Sequence, residues 1–496
     1  MKRFLPVPAL AIVGVVTLFR LYAAAVMPLN DDEMYYWVWS VHPAFGYVDH
    51  PPLVAWLIAA ASFLGRTPFA IRLPFILCET IAALAIGRAA LALGASMAGA
   101  GAAAIIFAAI PQPELLIAQA KPNASYLLCW ALALLFAGRC KDRVNMSDAI
   151  FLGVALAGAL LSRFFGWALV LGVIIWAFSA KTALARALAI PLAIVTVLYA
   201  PFVYWNATHQ WINFSFTLFA RQDYHAHAWV FSSIHGIRFA LYAIAFVVLT
   251  WVTARGRNGS LIRWTALPMV VTFIALSLVD NVETYWLLGP FTSLCAALGP
   301  WVVSLRRPVR FTLAAVWIAA AAFTMASIAY AAVTRAGPLG TRDFFNRELA
   351  ADTRALLTAR HVQPITDTYQ IAGTLQYYGI RTLMVGDSSQ AVVWREWYGS
   401  APGPHAVLLT LEPLAATPVL RAEIERQFTH VQLAKTFHYG RLPGPRVDVY
   451  ATWCDNGRDG SASVRPQTRP RMGTPRAFAG ANRPPRIART GRLGAL

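Results

Sequence analysis

The chain has 496 residues, 58% of them hydrophobic and only 13% charged, with 42 Lys and Arg against 23 Asp and Glu for a formal net charge of +19. Soluble domains carry about 25% charged residues, so a single soluble domain is excluded and a polytopic α-helical membrane protein is indicated. The positive excess is no single patch: about +7 of it comes from nine Arg against Asp455 and Asp459 in residues 455–496, and the rest lies mostly in short loops, which argues against a nucleic-acid partner.

Lys2 and Arg3 precede the first apolar run, 4–27, whose length suits a retained anchor better than a cleaved signal peptide. Further runs of roughly bilayer length predict spans at 71–91, 98–117, 123–138, 147–162, 164–180, 187–204, 236–254, 264–280, 285–303 and 311–333, eleven in all. The segment 51–65 is shorter and reads as an interfacial helix. If it does not cross, the clusters Arg139/Lys141/Arg143, Lys181/Arg186, Arg255/Arg257/Arg263 and Arg306/Arg307/Arg310 all fall on the cytoplasmic side with the N-terminus. The loops 28–70 and 205–235 and the C-terminal region then fall on the outer face.

The first outer loop carries Asp31, Asp32 and Glu33, then Tyr35, Tyr36 and Trp37, then Asp49, His50, Pro51 and Pro52. Such acids are dense for a chain this poor in charge. A carboxylate among apolar walls can work as a general base, although polar and aromatic residues also mark an ordinary membrane interface. Lys121 and Arg163 sit at outer turns, where the positive-inside rule disfavours them; a phosphate or a loop carboxylate would account for each, as would snorkelling to headgroups. The outer loop 201–235 interleaves Trp205, His209, Trp211 and Phe214 with Arg221, Asp223, Tyr224, His225 and His227, either a sugar or phosphate lining or an interfacial belt. Glu79 and Arg88, nine residues apart, are too distant for a pair on one helix, and with Glu283 they lie in or near lipid depth.

Beyond 333 the pattern becomes mixed: helical 342–360, apolar 381–386 and 405–411, helical 414–427, alternating 430–438 and 446–453. A small extracytoplasmic α/β domain over 334–454 is expected, in which Tyr369, Tyr377, Tyr378 and Trp397 serve as core or contact aromatics, followed by a basic, disordered tail at 455–496. The five cysteines show no CxxC and no ligand spacing, so neither disulfide nor structural zinc is expected. There is also no P-loop, no GxGxxG and no HExxH, which removes the usual cradles for nucleotide and zinc hydrolysis.

Asp32-Glu33-x-Tyr35-Tyr36, followed by Gly46-Tyr47-x-Asp49-His50-Pro51-Pro52-Leu53, resembles the first extracytoplasmic loop of bacterial glycosyltransferase family 39 proteins. These are the relatives of dolichyl-phosphate-mannose protein mannosyltransferase and lipid A aminoarabinose transferase. Leu161-Ser162-Arg163-Phe164 and Pro201-x-x-x-Trp205-Asn206-x-x-x-x-Trp211-x-x-Phe214 extend the likeness over roughly 1–300. It implies the GT-C architecture: a transmembrane catalytic domain over 1–333 with outer-face interfacial helices, in the bacterial inner membrane, with a periplasmic active site.

The implied activity is inverting transfer of a sugar from a polyprenyl-phosphate donor to an envelope lipid, glycan or protein. Asp32 matches the acidic residue that acts as base in the family, with the adjacent Asp31 and Glu33 in the same acidic cluster and the choice between Asp31 and Asp32 left open. Asp49 and His50 match positions near the donor phosphate, and Arg163 occupies the basic turn. Tyr35, Lys121 and Arg221 complete the expected substrate-binding set, while Asn123 stands where many relatives carry Asp. No cofactor or metal site is expected, with a divalent ion left open. The alternative is a polyprenyl-phosphate or lipid-linked glycan carrier that binds the same phosphate without making a bond.

Overall fold

The computed structural model describes residues 4–220, 229–277, 282–335, 343–360, 362–399, 402–439 and 446–454. Residues 1–454 form one compact unit. A helix occurs at every predicted span: α1 (Val7–Val26), α4 (Pro68–Ala92), α5 (Met97–Ala108), α7 (Pro122–Arg139), α8 (Met146–Ser162), α9 (Gly166–Ser179), α11 (Ala189–Thr208), α13 (Trp229–Thr253), α14 (Gly256–Leu276), α15 (Leu288–Ser304) and α16 (Arg307–Thr334). The shorter helices α2 (Asp31–Val41), α3 (Leu53–Ala60), α6 (Pro113–Ile117), α10 (Leu184–Ala187) and α12 (Ile212–Ser215) lie between them. Within the described residues, six helices are each long and apolar enough to cross a bilayer.

One predicted span is corrected. The run 98–117 is not one helix: α5 ends at Ala108 and α6 begins at Pro113. Pro111 and Pro113 interrupt the backbone ladder between them. Twelve residues of α5 rise about 18 Å, short of a hydrocarbon core of about 30 Å. Small residues let α5 approach α15 closely: a Cβ on Gly299 would clash with the Ala103 backbone.

The basic loops meet at one end of the bundle. Lys141 Nζ donates to Asn258 Oδ1 at 2.9 Å, the Ala183 amide donates to the Lys141 carbonyl at 2.9 Å, and Pro6 and Ala9 lie against Gly101. The opposite end carries α2 and α3. The eight residues of α3 rise only about 12 Å, and after the turn Ser62–Leu64 the chain reverses at Gly65, whose φ of +97° favours glycine. Segment 51–65 therefore stays at the end where it began. The expected labelling follows: Asp142→Cys and Asn258→Cys, each in a background without native cysteines, should resist a membrane-impermeant thiol reagent in intact cells. Labelling of either would overturn the topology.

The polar C-terminal region folds on a five-stranded sheet built from β1 (Gln363–Thr366), β2 (Leu383–Met384), β3 (His405–Thr410), β4 (His430–His438) and β5 (Arg446–Trp453), ordered β2-β1-β3-β5-β4. β1 runs parallel to β2 and β3, and β5 runs antiparallel between β3 and β4. Helices α17 (Asn346–Arg360), α18 (Tyr369–Tyr377), α19 (Ser389–Tyr398) and α20 (Pro418–Gln427) accompany it. Alternating burial divides its core: Ile365, Leu383 and Leu408 pack with Ile424 and Phe428, while Val407, Leu409 and Val449 pack with Ile371 and Leu375. Residues 455–496, predicted as a tail, lie outside the described residues.

Of the ionisable groups near lipid depth, Glu79 pairs with Arg20 of α1 at 3.7 Å, and both side chains are 1% exposed. Arg20 also donates to the Leu115 and Ala108 carbonyls, so it ties α1 to the broken α5–α6 segment. Arg88 is half-buried on α4, and Glu283 is exposed before the turn Thr284–Leu287.

Candidate active site

The acidic cluster opens a helix. Asn30 caps α2 by accepting from the Glu33 amide at 2.8 Å, while Glu33 Oε2 accepts from the Asn30 amide at 3.0 Å. Asp31, Asp32 and Glu33 occupy the first turn, where the helix dipole favours negative charge. They then diverge. Glu33 is 0% exposed and takes a two-pronged ion pair from Arg72 of α4, at 2.7 and 2.6 Å, plus the Ala120 amide at 2.8 Å. Arg72 spends its other donors on the Met27 and Pro28 carbonyls at 2.8 and 2.6 Å. Glu33 is thus saturated as an anchor for the start of α2, both of its oxygens being engaged by these donors.

Asp32 faces the other way and keeps 30% exposure. Lys121, 2.9 Å away, forms its ion pair, and Tyr369 from α18 donates to Oδ1 at 3.1 Å. Burial pulls the Lys121 ammonium down, but Asp32, Glu114 and Glu33 outweigh it and leave it above its usual range, so it stays charged. Arg163 caps α8, is 5% exposed, and donates to Asn123 Oδ1; the Asn123 amide in turn donates to Glu114. Its guanidinium lies over Tyr285 at 5.6 Å and Phe165 at 5.9 Å. An arginine buried to this degree is not snorkelling to headgroups. Tyr36 is pushed well up by burial, then by Asp32 and Asp49, with Arg163 opposing; these groups share one electrostatic environment.

Asp49 accepts from Gln390 of α19 at 2.8 Å. Tyr35 interacts with the same carboxylate, and burial followed by Asp49 keeps its phenol protonated. The His50 ring stands 6.0 Å from that of Tyr36. Asn213 of α12 holds this loop by donating to the Tyr47 and Val48 carbonyls at 2.9 and 2.8 Å. Trp205 stacks on His209 and lies against Gly46, where a Cβ would clash, and Phe214 packs on Phe164. The aromatic outer loop, as far as Ala220, is a brace behind the 46–50 segment. Arg221, Asp223, Tyr224, His225 and His227 lie outside the described residues. Among the described residues no group of three or more His, Cys, Asp or Glu side chains could hold a metal ion.

Residues 49–205 match the family model described as dolichyl-phosphate-mannose-protein mannosyltransferase. The chain is 25% identical over 319 residues to lipid A galacturonosyltransferase RgtD of Rhizobium johnstonii; that match takes in 60% of this chain and 66% of RgtD, just under two thirds. Its fold superposes on ArnT from Cupriavidus metallidurans in the apo state with a TM-score of 0.58 at 14% identity, and on ArnT bound to undecaprenyl phosphate with 0.56 at 13%. Each superposition covers 89% of this chain and 97% of ArnT. The chain has the GT-C fold. The kinship read from 31–53 is borne out at that level, and the named family and relative are glycosyltransferases, in agreement with the enzyme class read from the sequence.

Within this GT-C fold the structure brings Asp32, Tyr35, Asp49, His50, Lys121 and Arg163 into one region beneath the α/β layer, and sets Glu33 apart as an anchor. Asp31 stays at the helix start, its Oδ1 accepting from the Asp32 amide at 3.2 Å. Sequence reasoning missed Arg72, Glu114, Tyr369 as a partner of Asp32, and Gln390. The Asn30-x-x-Glu33 spacing announces the cap locally. Nothing local announces Tyr369, 337 positions from Asp32. His42, stacked on Trp397 at 4.7 Å and within 2.8 Å of the Tyr398 hydroxyl, shows how the two layers dock.

Proposed function

We propose that the protein transfers a sugar from a polyprenyl-phosphate donor to an acceptor in the bacterial envelope, with inversion at the anomeric carbon and with the site on the periplasmic side of the inner membrane. The observation that carries this reading is a partly exposed carboxylate, Asp32, in contact with Lys121 and sharing the electrostatic surroundings of Tyr36 with Arg163. In the reaction the acceptor hydroxyl gives its proton to Asp32 as its oxygen bonds to the anomeric carbon. The bond from that carbon to the phosphate oxygen breaks, and the polyprenyl phosphate leaves with the electron pair. Lys121 and Arg163 offset the charge that gathers on the departing phosphate. One base and a phosphate leaving group make a single displacement, hence inversion. Tyr369 and Gln390, from the outer layer, orient Asp32 and Asp49.

The test is transfer by the purified protein. Radiolabelled polyprenyl-phosphate-linked mannose and galacturonic acid are each incubated with an envelope lipid extract, and product is sought as a new glycosidic bond. Donor binding with no bond formed under either sugar would favour the carrier instead. Arg163→Ala should lower kcat/KM on the order of 10- to 100-fold, the range for hydrogen bonds to charged groups. Arg163→Lys should recover only part of it, because an ammonium cannot reproduce the planar fork held by Asn123. Unchanged donor dependence in Arg163→Ala would remove Arg163 from the phosphate site.

A further inference from the structure

A cavity of about 960 Å³, whose lining does not include Asp32, lies between the end of α1, the 66–68 turn, the end of α16 and helix α17. Its size is within the range of ligand pockets. Two chemically different walls meet there. One is basic: Arg66, Arg335, Arg347 and Arg354 line it, and among the described lining residues there is no Asp or Glu. Arg335 pairs with Glu348 at 2.5 Å and also donates to the Phe344 carbonyl, and Arg354 donates to the Tyr378 carbonyl at 2.6 Å, so a carboxylate offsets only part of the basic wall. The other wall is apolar: Ala25, Val26, Leu29, Ala332 and Phe344. It continues onto side chains exposed along the bundle, Leu18 and Tyr22 on α1, Tyr330 and Val333 on α16. These two helices are among those long and apolar enough to cross a bilayer, so that exposed surface faces acyl chains.

We infer that this cavity binds the phosphate-bearing headgroup of an anionic membrane lipid, whose chains run down the groove between α1 and α16. Guanidinium forks suit phosphate oxygens. Only an amphiphile uses both walls, since a free phosphate would leave the apolar one unoccupied. The site is structurally coupled to α2: Met27 and Pro28 line the cavity, and their carbonyls hold Arg72, which anchors Glu33. It also ties the α/β layer to the bundle, because Arg347 and Arg354 come from α17 whereas Arg66 lies beneath Trp37 of α2 at 5.1 Å. Nothing in this inference requires the transfer reaction.

The experiment uses the full chain in neutral detergent, titrated with phosphatidylglycerol and, separately, with zwitterionic phosphatidylcholine, with bound lipid counted by native mass spectrometry. Phosphatidylglycerol should be retained preferentially. R66A/R347A should weaken it roughly 10- to 30-fold, from about 1 kcal/mol per basic residue at an anionic headgroup, and R66K/R347K should keep most of the affinity. Millimolar inorganic phosphate should not displace the lipid. Equal retention of the two lipids, unchanged binding by R66A/R347A, or displacement by phosphate alone would each overturn the proposal. Should the double variant melt early without lipid, R347A alone carries the test, with an expected loss of about fivefold, because the Arg347 side chain is exposed.

Discussion

Asp32→Asn should reduce transfer by about 10²- to 10⁴-fold, the usual contribution of a positioned general base. The change is nearly isosteric. The Asn oxygen can still accept from Tyr369, so the α/β layer should stay docked over α2. What is lost is a place for the acceptor's proton. Donor binding should survive, because Lys121, released from its ion pair, would keep its charge free to meet a donor phosphate. Asp31→Asn should have far less effect, because the Asp31 carboxylate accepts from the Asp32 amide at the helix start, a bond the Asn oxygen can also accept. The comparison requires turnover and donor affinity for both variants. An active Asp32→Asn beside a dead Asp31→Asn would place the base one residue earlier and end the assignment made here.

The eleven helices were legible because a bilayer demands a long apolar run from any segment that crosses it. The break at 109–112 could have been read too, since Pro111 and Pro113 stand inside an apolar run that the prediction carried through them. In the outer layer the strands His405–Thr410, His430–His438 and Arg446–Trp453 lie where their patterns predicted. β1, only four residues long, and the helices α18 and α19 were not foreseen. At the site, residue chemistry pointed to the acidic loop, Lys121 and Arg163, but not to which acid is free. That division is a property of distant partners. Glu33 is removed from the solvent side by an arginine 39 positions on, and Asp32 is fixed by a tyrosine 337 positions on. Pairings over such separations leave no periodicity in the chain.

The largest stability effect should come from that first pairing. Arg72→Met deletes a guanidinium that makes two bonds to Glu33 and two to the Met27 and Pro28 carbonyls. It leaves a carboxylate that is 0% exposed, with its backbone donors but without its ion-pair partner. Breaking a buried pair from one side costs about 3–5 kcal/mol, a large part of the net stability of about 5–15 kcal/mol typical of a folded domain. The variant should therefore give little detergent-stable protein and an early thermal transition. Removing both charges, as Arg72→Met with Glu33→Gln, should recover part of the loss, because the stranded carboxylate is gone while the single Gln oxygen still accepts from one of the two amides, Asn30 or Ala120, that Glu33 serves with separate oxygens. The order of melting temperatures, wild type above the double variant and the double variant above Arg72→Met, separates an electrostatic anchor from simple loss of packing. Were the double variant no better than Arg72→Met, the carbonyl bonds to residues 27 and 28 would be the greater part of what Arg72 contributes, and α2 would owe its position to the end of α1 rather than to Glu33.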